Sequence, residues 1–495
     1  MDKMKYDIQK QHDKGKYHAI ERLALLLDRG TFNEIGSGIV DYGYDSSKKP
    51  VPYDGVITGS GKINGKTVYV FAQDFSVKGG SLGLRHGKKI AHIIELAIKS
   101  KCPLIGVFDS GGARINEGIN ALAGCGDIMR YNTMASGYIP QISVVVGPCA
   151  GAAAYSPAIT DFVYIVNKVG YMFITGEDVV KSVTGEECTK EELGGATIHA
   201  TTSGVSHFCF RKEKECFSSV RQLVTMLPSS CQEHIETNIP YVAKKLTIEE
   251  LIPKDSKKVY DIKNVINEIV DEDSFLEVQE KFASSIVIGF GKLSGVTIGI
   301  VASQPLVNCG SIDCDSSDKA ARFVRYCDSF NIPIITLVDT PGYLPGTNQE
   351  HNGIIRHGAK LLYAYAEATV PLLTFVLRKA YGGAYIAMGS KHLGADYVYA
   401  LPGAEIAVMG AEGAAKILYK REIANTTEDV NEYFSKKVQE YSEKYMNSTL
   451  AVQEGYIDEI ISPQKIRKRI YDDIMRLASK EELQGIHKKH GNIPL

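Results

Sequence analysis

The chain has 495 residues, of which 44% are hydrophobic and 23% charged, and its formal net charge at pH 7 is -2. This composition is typical of a globular protein, the length is too great for a single core, and the near-neutral charge argues against nucleic acid as a partner. The longest apolar runs, such as ISVVV, are too short to span a membrane. The start of the chain is charged and has no apolar core, so we expect neither a signal nor a transit peptide and a cytoplasmic location.

Cysteine usage supports the same location. The ten cysteines form no CxxC pair, and most lie in apolar stretches. This pattern predicts buried, reduced thiols rather than disulfides or zinc ligands. No HExxH or other compact set of metal ligands is present, so we expect no metal.

An internal repeat organises the chain. Residues 59–112 align with residues 289–342 without a gap, and fifteen of the 54 aligned positions are identical. With small gaps, IPQISVVVGPCAGAAAY faces VPLLTFVLRKAYGGAYI, and GYMFITGEDVV faces GAEIAVMGAEG. The sequence therefore predicts two copies of one α/β domain, residues 1–250 and 251–495. The expected join is the polar stretch LTIEELIPKDSKKVYD, residues 245–260.

The elements of each copy follow in the same order. A β-hairpin comes first, because ING in one copy and LSG in the other have hairpin turn chemistry. A helix follows (KIAHIIELAIKS and KAARFVRYCDSF), then a buried strand (PLIGVF and PIITLV) that ends in a glycine-rich turn. This alternation indicates a mainly parallel sheet covered by helices. A charged amphipathic helix within residues 428–450 is expected to cap the second copy.

Four glycine-rich turns follow predicted strands: DSGGAR (109–114), GPCAGAAAY (147–155), DTPGYLPG (339–346) and KAYGGAY (379–385). Backbone amides at such turns, and at the start of the next helix, carry partial positive charge and point outward. They can therefore hold a phosphate, or an oxygen that becomes negative during a reaction. Close packing of helix on strand is the alternative explanation for each turn, but recurrence in two matched copies favours a functional one.

A serine hydrolase is the rival interpretation. The segment GGSLG (79–83) fits the G-x-S-x-G pattern of a nucleophile elbow and follows a predicted strand, with Ser81 as nucleophile. The second copy keeps Ser311 where the flanking pattern is broken, so a shared feature of the fold explains both serines more simply. His92, His351 and His357 have no obvious partner in sequence and are expected to be surface or satisfied histidines.

Seven segments resemble the carboxyltransferase subunit of biotin-dependent acyl-CoA carboxylases and decarboxylases, of the propionyl-CoA carboxylase beta and methylmalonyl-CoA decarboxylase alpha type. They are QDFSVKGGSLG, DSGGARINEG, IPQISVVVGPCAGAAAYSPAITDF, MFITGEDVVKSVTGEE, SGVSHF, DTPGYLPG and RKAYGGAYIAM. The resemblance covers nearly the whole chain in order. It implies duplicated crotonase-like (ClpP/crotonase) α/β domains and carboxyl transfer between carboxybiotin and a short-chain acyl-CoA, propionyl-CoA or methylmalonyl-CoA.

The resemblance also implies two oxyanion holes, one for the thioester enolate and one for the biotin enolate. Carried over, the first falls on Gly151 and Ala152, and the second on Gly383 and Ala384. Gly383 is then small so that the ureido oxygen of biotin can reach the amides. The family usually has Gly-Gly at the first pair, so this chain keeps the amide and adds a methyl group. The implied substrate contacts are Gly111, Gly112, Ala113, Arg114, Tyr155, Tyr385 and Ile386.

Two of these implications concern the chemistry. Biotin's own nitrogen can take the α-proton, so no protein base is required, and none is evident. Some relatives carry an acidic residue at the position of Ile386, and an aliphatic residue there implies an apolar acyl pocket, since a free carboxylate beside it would be costly.

The implied cofactors and partners complete the expectation. The chain has no Ala-Met-Lys-Met biotinylation motif and no ATP-binding signature, so biotin is expected on a separate biotin carboxyl carrier protein. A biotin carboxylase subunit, or a membrane-embedded decarboxylase subunit, would complete the complex. The family also implies a homo-oligomer, a hexamer in which acyl-CoA lies on the N-terminal domain of one subunit and biotin on the C-terminal domain of a partner.

Overall fold

The computed structural model describes residues 8–13, 15–41, 51–480 and 490–495. The chain forms two compact units, Met1–Glu233 and His234–Leu495, called here the first and the second unit. Each unit contains one eight-stranded sheet covered by helices. The predicted fold class, a duplicated α/β domain, is confirmed.

The elements of the first unit are bounded as follows. Its strands are β1 Asn33–Glu34, β2 Val56–Ile63, β3 Lys66–Gln73, β4 Leu104–Ser110, β5 Gln141–Ala150, β6 Phe162–Val166, β7 Tyr171–Phe173 and β8 Phe208–Phe210. Its helices are α1 Gln9–His12, α2 Ala19–Leu26, α3 Leu84–Ser100, α4 Ile119–Ala135, α5 Tyr155–Ile159, α6 Glu177–Thr184, α7 Lys190–Gly194, α8 Ala196–Thr201 and α9 Glu213–Met226.

The second unit repeats this order with additions at its C-terminal end. Its strands are β9 Leu276–Val278, β10 Ile286–Leu293, β11 Val296–Ser303, β12 Ile334–Thr340, β13 Leu372–Tyr381, β14 Tyr397–Ala400, β15 Glu405–Ala407 and β16 Glu459–Ile460. Its helices are α10 Ile248–Leu251, α11 Ile262–Ile269, α12 Cys314–Ser329, α13 Thr347–His351, α14 Ile354–Glu367, α15 Gly382–Ala387, α16 Ala411–Leu418, α17 Lys420–Ala424, α18 Val430–Tyr445, α19 Ser448–Gln453 and α20 Ile466–Arg476.

The two sheets have the same topology. The first runs β1-β2-β3-β4-β5-β6-β8, with β7 beside the end of β5, and the second runs β9-β10-β11-β12-β13-β14-β16, with β15 beside the end of β13. The β2–β3 and β10–β11 hairpins are antiparallel, and the strands after them pair in parallel. Both hairpin turns, Asn64-Gly65 and Ser294-Gly295, have positive φ at both residues, as a type I′ turn requires. The predicted hairpins are therefore confirmed.

The repeat extends nearly as the sequence predicts, with one correction. The match of GYMFITGEDVV with GAEIAVMGAEG is wrong by one residue, because Tyr171 pairs with Pro148 and Glu405 pairs with the equivalent Lys379. Tyr171 therefore corresponds to Glu405 rather than to Ala404. The glycine shared by the two segments led the alignment, although strand pairing sets the register.

The boundary between the units precedes the join expected at residues 245–260. Leu246 and Ile248 are buried in the core of the second unit, which explains why this segment belongs to it. The charged helix expected within residues 428–450 is α18, whose Tyr441 packs with Tyr381. The assignment of residues 1–250 to acyl-CoA and 251–495 to biotin remains a prediction.

Two further features bear on the sequence analysis. All ten cysteines lie within the described residues; none of them is in a disulfide, and five are buried. In the ranges that the structure describes, no helix combines the length and the apolar character that a membrane span needs.

Candidate active site

The two glycine-alanine turns lie at the carboxyl ends of β5 and β13. Ala150 and Tyr381 are the last residues of these strands, and both are extended, with φ of -116° and -112°. The next residues, Gly151 and Gly382, adopt φ of +62° and +57°, a conformation that glycine reaches without a steric penalty. In each unit, the backbone then enters a helical turn. The equivalent geometry confirms that the same turn occurs once in each unit.

Strand pairing fixes which residues of the two turns correspond. Cys149 pairs with Met172, and Ala380 pairs in the same way with Ile406. Gly151 therefore matches Gly382, and Ala152 matches Gly383. The two predicted oxyanion pairs, Gly151-Ala152 and Gly383-Ala384, are consequently offset by one residue, and the position they share is that of Ala152 and Gly383.

The second turn presents free amides at the start of a helix. Gly383 and Ala384 are the second and third residues of α15, where backbone N–H groups have no acceptor within the helix. Gly383 is exposed, whereas the Ala384 side chain is buried and holds the turn against the core. Such N–H groups carry partial positive charge and can bind an oxygen that becomes negative.

Packing does not require glycine at position 383. A Cβ atom there would lie 3.6 Å from Cδ2 and Cε2 of Tyr343, an ordinary contact distance. Gly382 differs, because its φ is positive and its Cβ would lie 3.1 Å from the Val408 carbonyl oxygen. The space above Gly383 is therefore open for a group that is not part of the chain.

The first turn lies beside a small apolar cavity of about 10 Å³. Ala152 and Ala153 form one side of it, so the cavity adjoins the first predicted oxyanion pair. Its lining residues are Phe71, Gln73, Leu82, Ile90, Phe108, Cys125, Ile128, Met129, Ala152, Ala153 and Ser156. The volume is enough for about one small group, such as a water molecule or a methyl group.

The predicted contacts in the DSGGAR turn differ in exposure. Gly111 is exposed and donates its N–H to the Gly79 carbonyl at 3.0 Å, and Gly112 has φ of +100°. Ala113 is half-buried. Arg114 is only 3% exposed, and its guanidinium lies 2.7 Å from both Asp54 and Glu117. Its side chain thus holds the turn in place, and its contact with substrate remains a prediction.

The other predicted contacts lie on the helices that follow the turns. Tyr155 is 50% exposed, and the equivalent residue of the second unit, Ile386, is 40% exposed. Tyr385 is half-buried, and burial raises the pKa of its phenol. Its hydroxyl lies 3.3 Å from Nε2 of His392. These side chains are at least partly exposed, as a binding role requires.

Ser81 does not have the geometry of a hydrolase nucleophile. β3 ends at Gln73, and Ser81 follows a separate short turn instead of lying at a sharp strand-to-helix bend. Its hydroxyl donates to the Lys78 carbonyl at 2.8 Å and accepts from Nε of Arg114 at 3.3 Å. The hydroxyl is thus held by the fold, and the hydrolase interpretation is not supported.

The histidines singled out in the sequence lie at the surface or have a carboxylate partner, as expected. His92 is exposed, 3.5 Å from Glu95, and His351 is exposed. His357 lies 2.9 Å from Asp318. In the described ranges, no cluster of three or more His, Cys, Asp or Glu residues could hold a metal ion.

A buried ionic network behind the first turn escaped sequence reasoning. Asp109, the next-to-last residue of β4, is fully buried, and Arg22 reaches it from α2 at 2.8 Å while also binding Glu213 at 2.7 Å. Lys16 lies 2.7 Å from the same carboxylate, and burial lowers the pKa of this lysine. The identity of Asp109 and Asp339 in the repeat was the available signal.

Comparison with known proteins gives one consistent result. The profile of the carboxyl transferase domain family matches residues 10–493. The chain is 52% identical to the carboxyltransferase subunit of propionyl-CoA carboxylase from Haloferax mediterranei, covering 99% of this chain and 95% of that protein. It is 49% identical to methylmalonyl-CoA decarboxylase subunit alpha from Veillonella parvula, covering 99% and 95%.

Among solved structures, the chain matches the hexameric transcarboxylase 12S crystallised with methylmalonyl-CoA and methylmalonic acid. The TM-score is 0.94 and the sequence identity 45%, and the match covers 99% of this chain and 94% of that one.

Proposed function

The chain belongs to the carboxyl transferase family, and from this premise we propose that it moves a carboxyl group between carboxybiotin and a short-chain acyl-CoA. Propionyl-CoA and methylmalonyl-CoA are the proposed thioester pair, since relatives about 50% identical to the chain are named for them. The observation that carries the proposal is similarity along the whole chain combined with the two matched turns.

The second turn fits a biotin ring. The open space above Gly383 is where a Cβ atom would stand, and the N–H groups of Gly383 and Ala384 belong to the first turn of α15. Bound biotin would supply the carboxyl group and a nitrogen that can take the α-proton. Gly383 and Ala384 would hold the ureido oxygen through their N–H groups. Gly151 and Ala152 would hold the thioester oxygen in the same way.

Fixed amides account for the chemistry without a protein base. Donors aimed at an oxygen that gains charge need no rearrangement during the reaction, and removing one costs about 10²–10³ in kcat. Arg114 and Asp109 hold the adjacent turns through buried ion pairs. The exposed Ile386 would give the acyl group an apolar neighbour.

The proposal extends to partners. Biotin would be carried by a separate biotin carboxyl carrier protein, and the chain would act without a metal, in the cytoplasm, beside a biotin carboxylase or a membrane decarboxylase subunit. We propose a homo-oligomer, a hexamer, as the active form. Light scattering on active fractions tests this point, and a fully active monomer would contradict it.

The decisive experiment incubates the purified chain with methylmalonyl-CoA and free biotin. We expect biotin-dependent formation of propionyl-CoA, and the same rate in a Ser81→Ala variant. A hydrolase would instead release free CoA without biotin and lose that activity in Ser81→Ala. A CoA-binding scaffold would bind the thioester and turn nothing over. Absence of any biotin-dependent change would overturn the proposal.

A further inference from the structure

The second turn has an aromatic neighbour, Tyr343, whose counterpart in the first unit is not aromatic. Tyr343 follows Gly342 in the DTPGYLPG segment, and its backbone is fixed on both sides by Ile312. The Ile312 N–H donates to the Gly342 carbonyl at 3.1 Å, and the Leu344 N–H donates to the Ile312 carbonyl at 2.8 Å. The position of this side chain is therefore set by the strand-like pairing of its own backbone.

The ring of Tyr343 is held between two glycines. One edge, Cδ2 and Cε2, lies 3.6 Å from the point where a Cβ of Gly383 would stand. The other edge, Cε1 and the phenolic oxygen, lies 3.0 Å from the Cβ position of Gly358 on α14. A side chain at position 358 would push the ring away, so Gly358 makes room for the ring beside the amides.

The hydroxyl group does not explain why the ring is there. Among the described residues, the phenolic oxygen of Tyr343 is buried and has no hydrogen-bond partner. Burial raises the pKa of this phenol to about 12, so it stays neutral at physiological pH. A buried hydroxyl without a partner costs free energy, whereas a flat apolar ring in the same place does not. The useful part of the side chain is its ring.

The equivalent residue of the first unit is small. Ala113 bridges to Leu82 as Tyr343 bridges to Ile312, so the two occupy the same position. The first turn therefore has a methyl group where the second has an aromatic wall. The matched glycine turns thus differ in the shape of the space beside their amides.

We infer that the Tyr343 ring is the wall of the second oxyanion site, against which the flat ureido ring of biotin packs. This inference rests on the proposed function. It assigns the site beside Tyr343 to the flat ring of biotin and the site beside Ala113 to the flexible thioester. Aromatic side chains give a rigid contact surface with little loss of conformational freedom. The wall would fix the sideways position of the oxygen that binds the two amides.

The test measures the two KM values of variants at position 343 with free biotin and methylmalonyl-CoA. Tyr343→Leu removes the flat ring while filling part of its space, and Tyr343→Ala removes the wall entirely. In both we expect KM for biotin to rise about tenfold or more, with a much smaller change in KM for methylmalonyl-CoA. Tyr343→Phe keeps the ring and should restore most of the affinity for biotin. Thermal unfolding identifies any variant that does not fold.

A reciprocal variant sharpens the assignment. Ala113→Tyr builds a wall in the first unit and should raise KM for methylmalonyl-CoA more than KM for biotin. The inference is overturned if folded Tyr343→Leu keeps its KM for biotin, if both KM values rise equally, or if Tyr343→Phe loses as much affinity as Tyr343→Leu. A wild-type chain without biotin-dependent transfer would instead overturn the proposed function, so the two failures are distinguishable.

Discussion

The two units hold the same buried aspartate in different ways. Asp109 is the next-to-last residue of β4 in the first unit, and Asp339 is the next-to-last residue of β12 in the second. The partner of Asp109 is Arg22, which reaches it from α2 at 2.8 Å. The partner of Asp339 is Arg378, which reaches it from β13 at 2.7 Å. In each unit, the buried aspartate that precedes a glycine turn is therefore paired with an arginine.

The two arginines come from different elements of the fold, and neither has an arginine at its equivalent position in the other unit. The position equivalent to Arg378 is Gly147, where a Cβ would lie 1.8 Å from Oδ1 of Asp109. The position equivalent to Arg22 in α11 is Val265, which is buried in the apolar core. Each unit thus has one arginine beside its buried aspartate. At the position where the other unit has its arginine, the side chain carries no guanidinium. The duplicated fold has retained the charge balance at the turn, although it has not retained the residue that supplies it.

The sharpest way to break this comparison is to remove one arginine. Arg22→Ala leaves Asp109 and Glu213 buried without their shared guanidinium, so we expect the free energy of unfolding to fall by about 3–5 kcal/mol. Urea unfolding followed by circular dichroism measures it. Lys99→Ala is the control, because Lys99 makes a solvent-exposed pair with Glu95 within α3, and its loss should cost about 1 kcal/mol or less. Equal losses in the two variants would contradict the role given to the buried network.

The second prediction changes the position that the two turns share, which is Gly383 in the second unit and Ala152 in the first. Gly383→Ala should fold normally, since its Cβ meets only the Tyr343 ring at 3.6 Å and alanine favours a helix. The methyl group would nevertheless keep the ureido oxygen from the amides. We expect kcat/KM for biotin to fall about a hundredfold, comparable to the loss of one donor.

The matched control for that variant lies in the first unit. Ala152→Gly removes the methyl at the equivalent position and should change kcat/KM for methylmalonyl-CoA more than kcat/KM for biotin. Steady-state kinetics with each substrate varied separately gives both values. An unchanged kcat/KM for biotin in folded Gly383→Ala would remove Gly383 from the biotin site.

The parts of the fold that local chemistry specifies were predictable from the sequence. Asn64-Gly65 and Ser294-Gly295 specify hairpin turns, and gap-free identity between the copies specifies their common order. The glycine turns were recognisable for the same reason, because few residues reach positive φ at the end of a strand. The turns depend on residues close together in the chain, and the common order can be read from the identity between the two copies.

The rest depends on contacts between distant residues. Arg22 and Asp109 are 87 positions apart, and no periodic pattern links them. The wall formed by Tyr343 needs the space left by Gly358, which lies on another helix. Such information appears when the chain is folded and cannot be read from a single sequence.

The third prediction concerns stability in acid. It depends on His86, a position at which the two units have different residues. His86 in α3 is fully buried, and its counterpart in α12 is Ser316. The Nδ1–H of His86 donates to the Asp54 carbonyl at 2.9 Å, and Nε2 accepts from the amide of Gln73 at 3.3 Å. Burial lowers the pKa of His86 to about 3, so the folded state keeps this side chain neutral.

The sign of the effect follows from proton uptake. Between pH 6.5 and pH 3 the unfolded chain binds a proton at His86 that the folded chain does not bind, so stability falls as the pH decreases through this window. From pH 7 to pH 5 we expect a contribution of about 2 kcal/mol. Urea unfolding of wild type and His86→Gln at both pH values measures it. If the two proteins lose the same amount of stability, His86 is not the source.

The last prediction compares the exposed residues that follow the two turns, Tyr155 and Ile386. Both are available to a bound group, being 50% and 40% exposed, but only Ile386 is aliphatic. Ile386→Asp places a carboxylate beside the proposed acyl group. A charged side chain is costly next to an apolar group, so the variant should favour the shorter acyl chain. We expect the ratio of kcat/KM for propionyl-CoA over acetyl-CoA to change about tenfold, because one methylene group contributes about 1–3 kcal/mol to discrimination. Ile386→Val, which keeps an aliphatic side chain at this position, is the control and should change the ratio much less. An unchanged ratio in a folded, oligomeric Ile386→Asp protein would place Ile386 outside the acyl pocket, and the aliphatic side chain would then serve only the packing of α15.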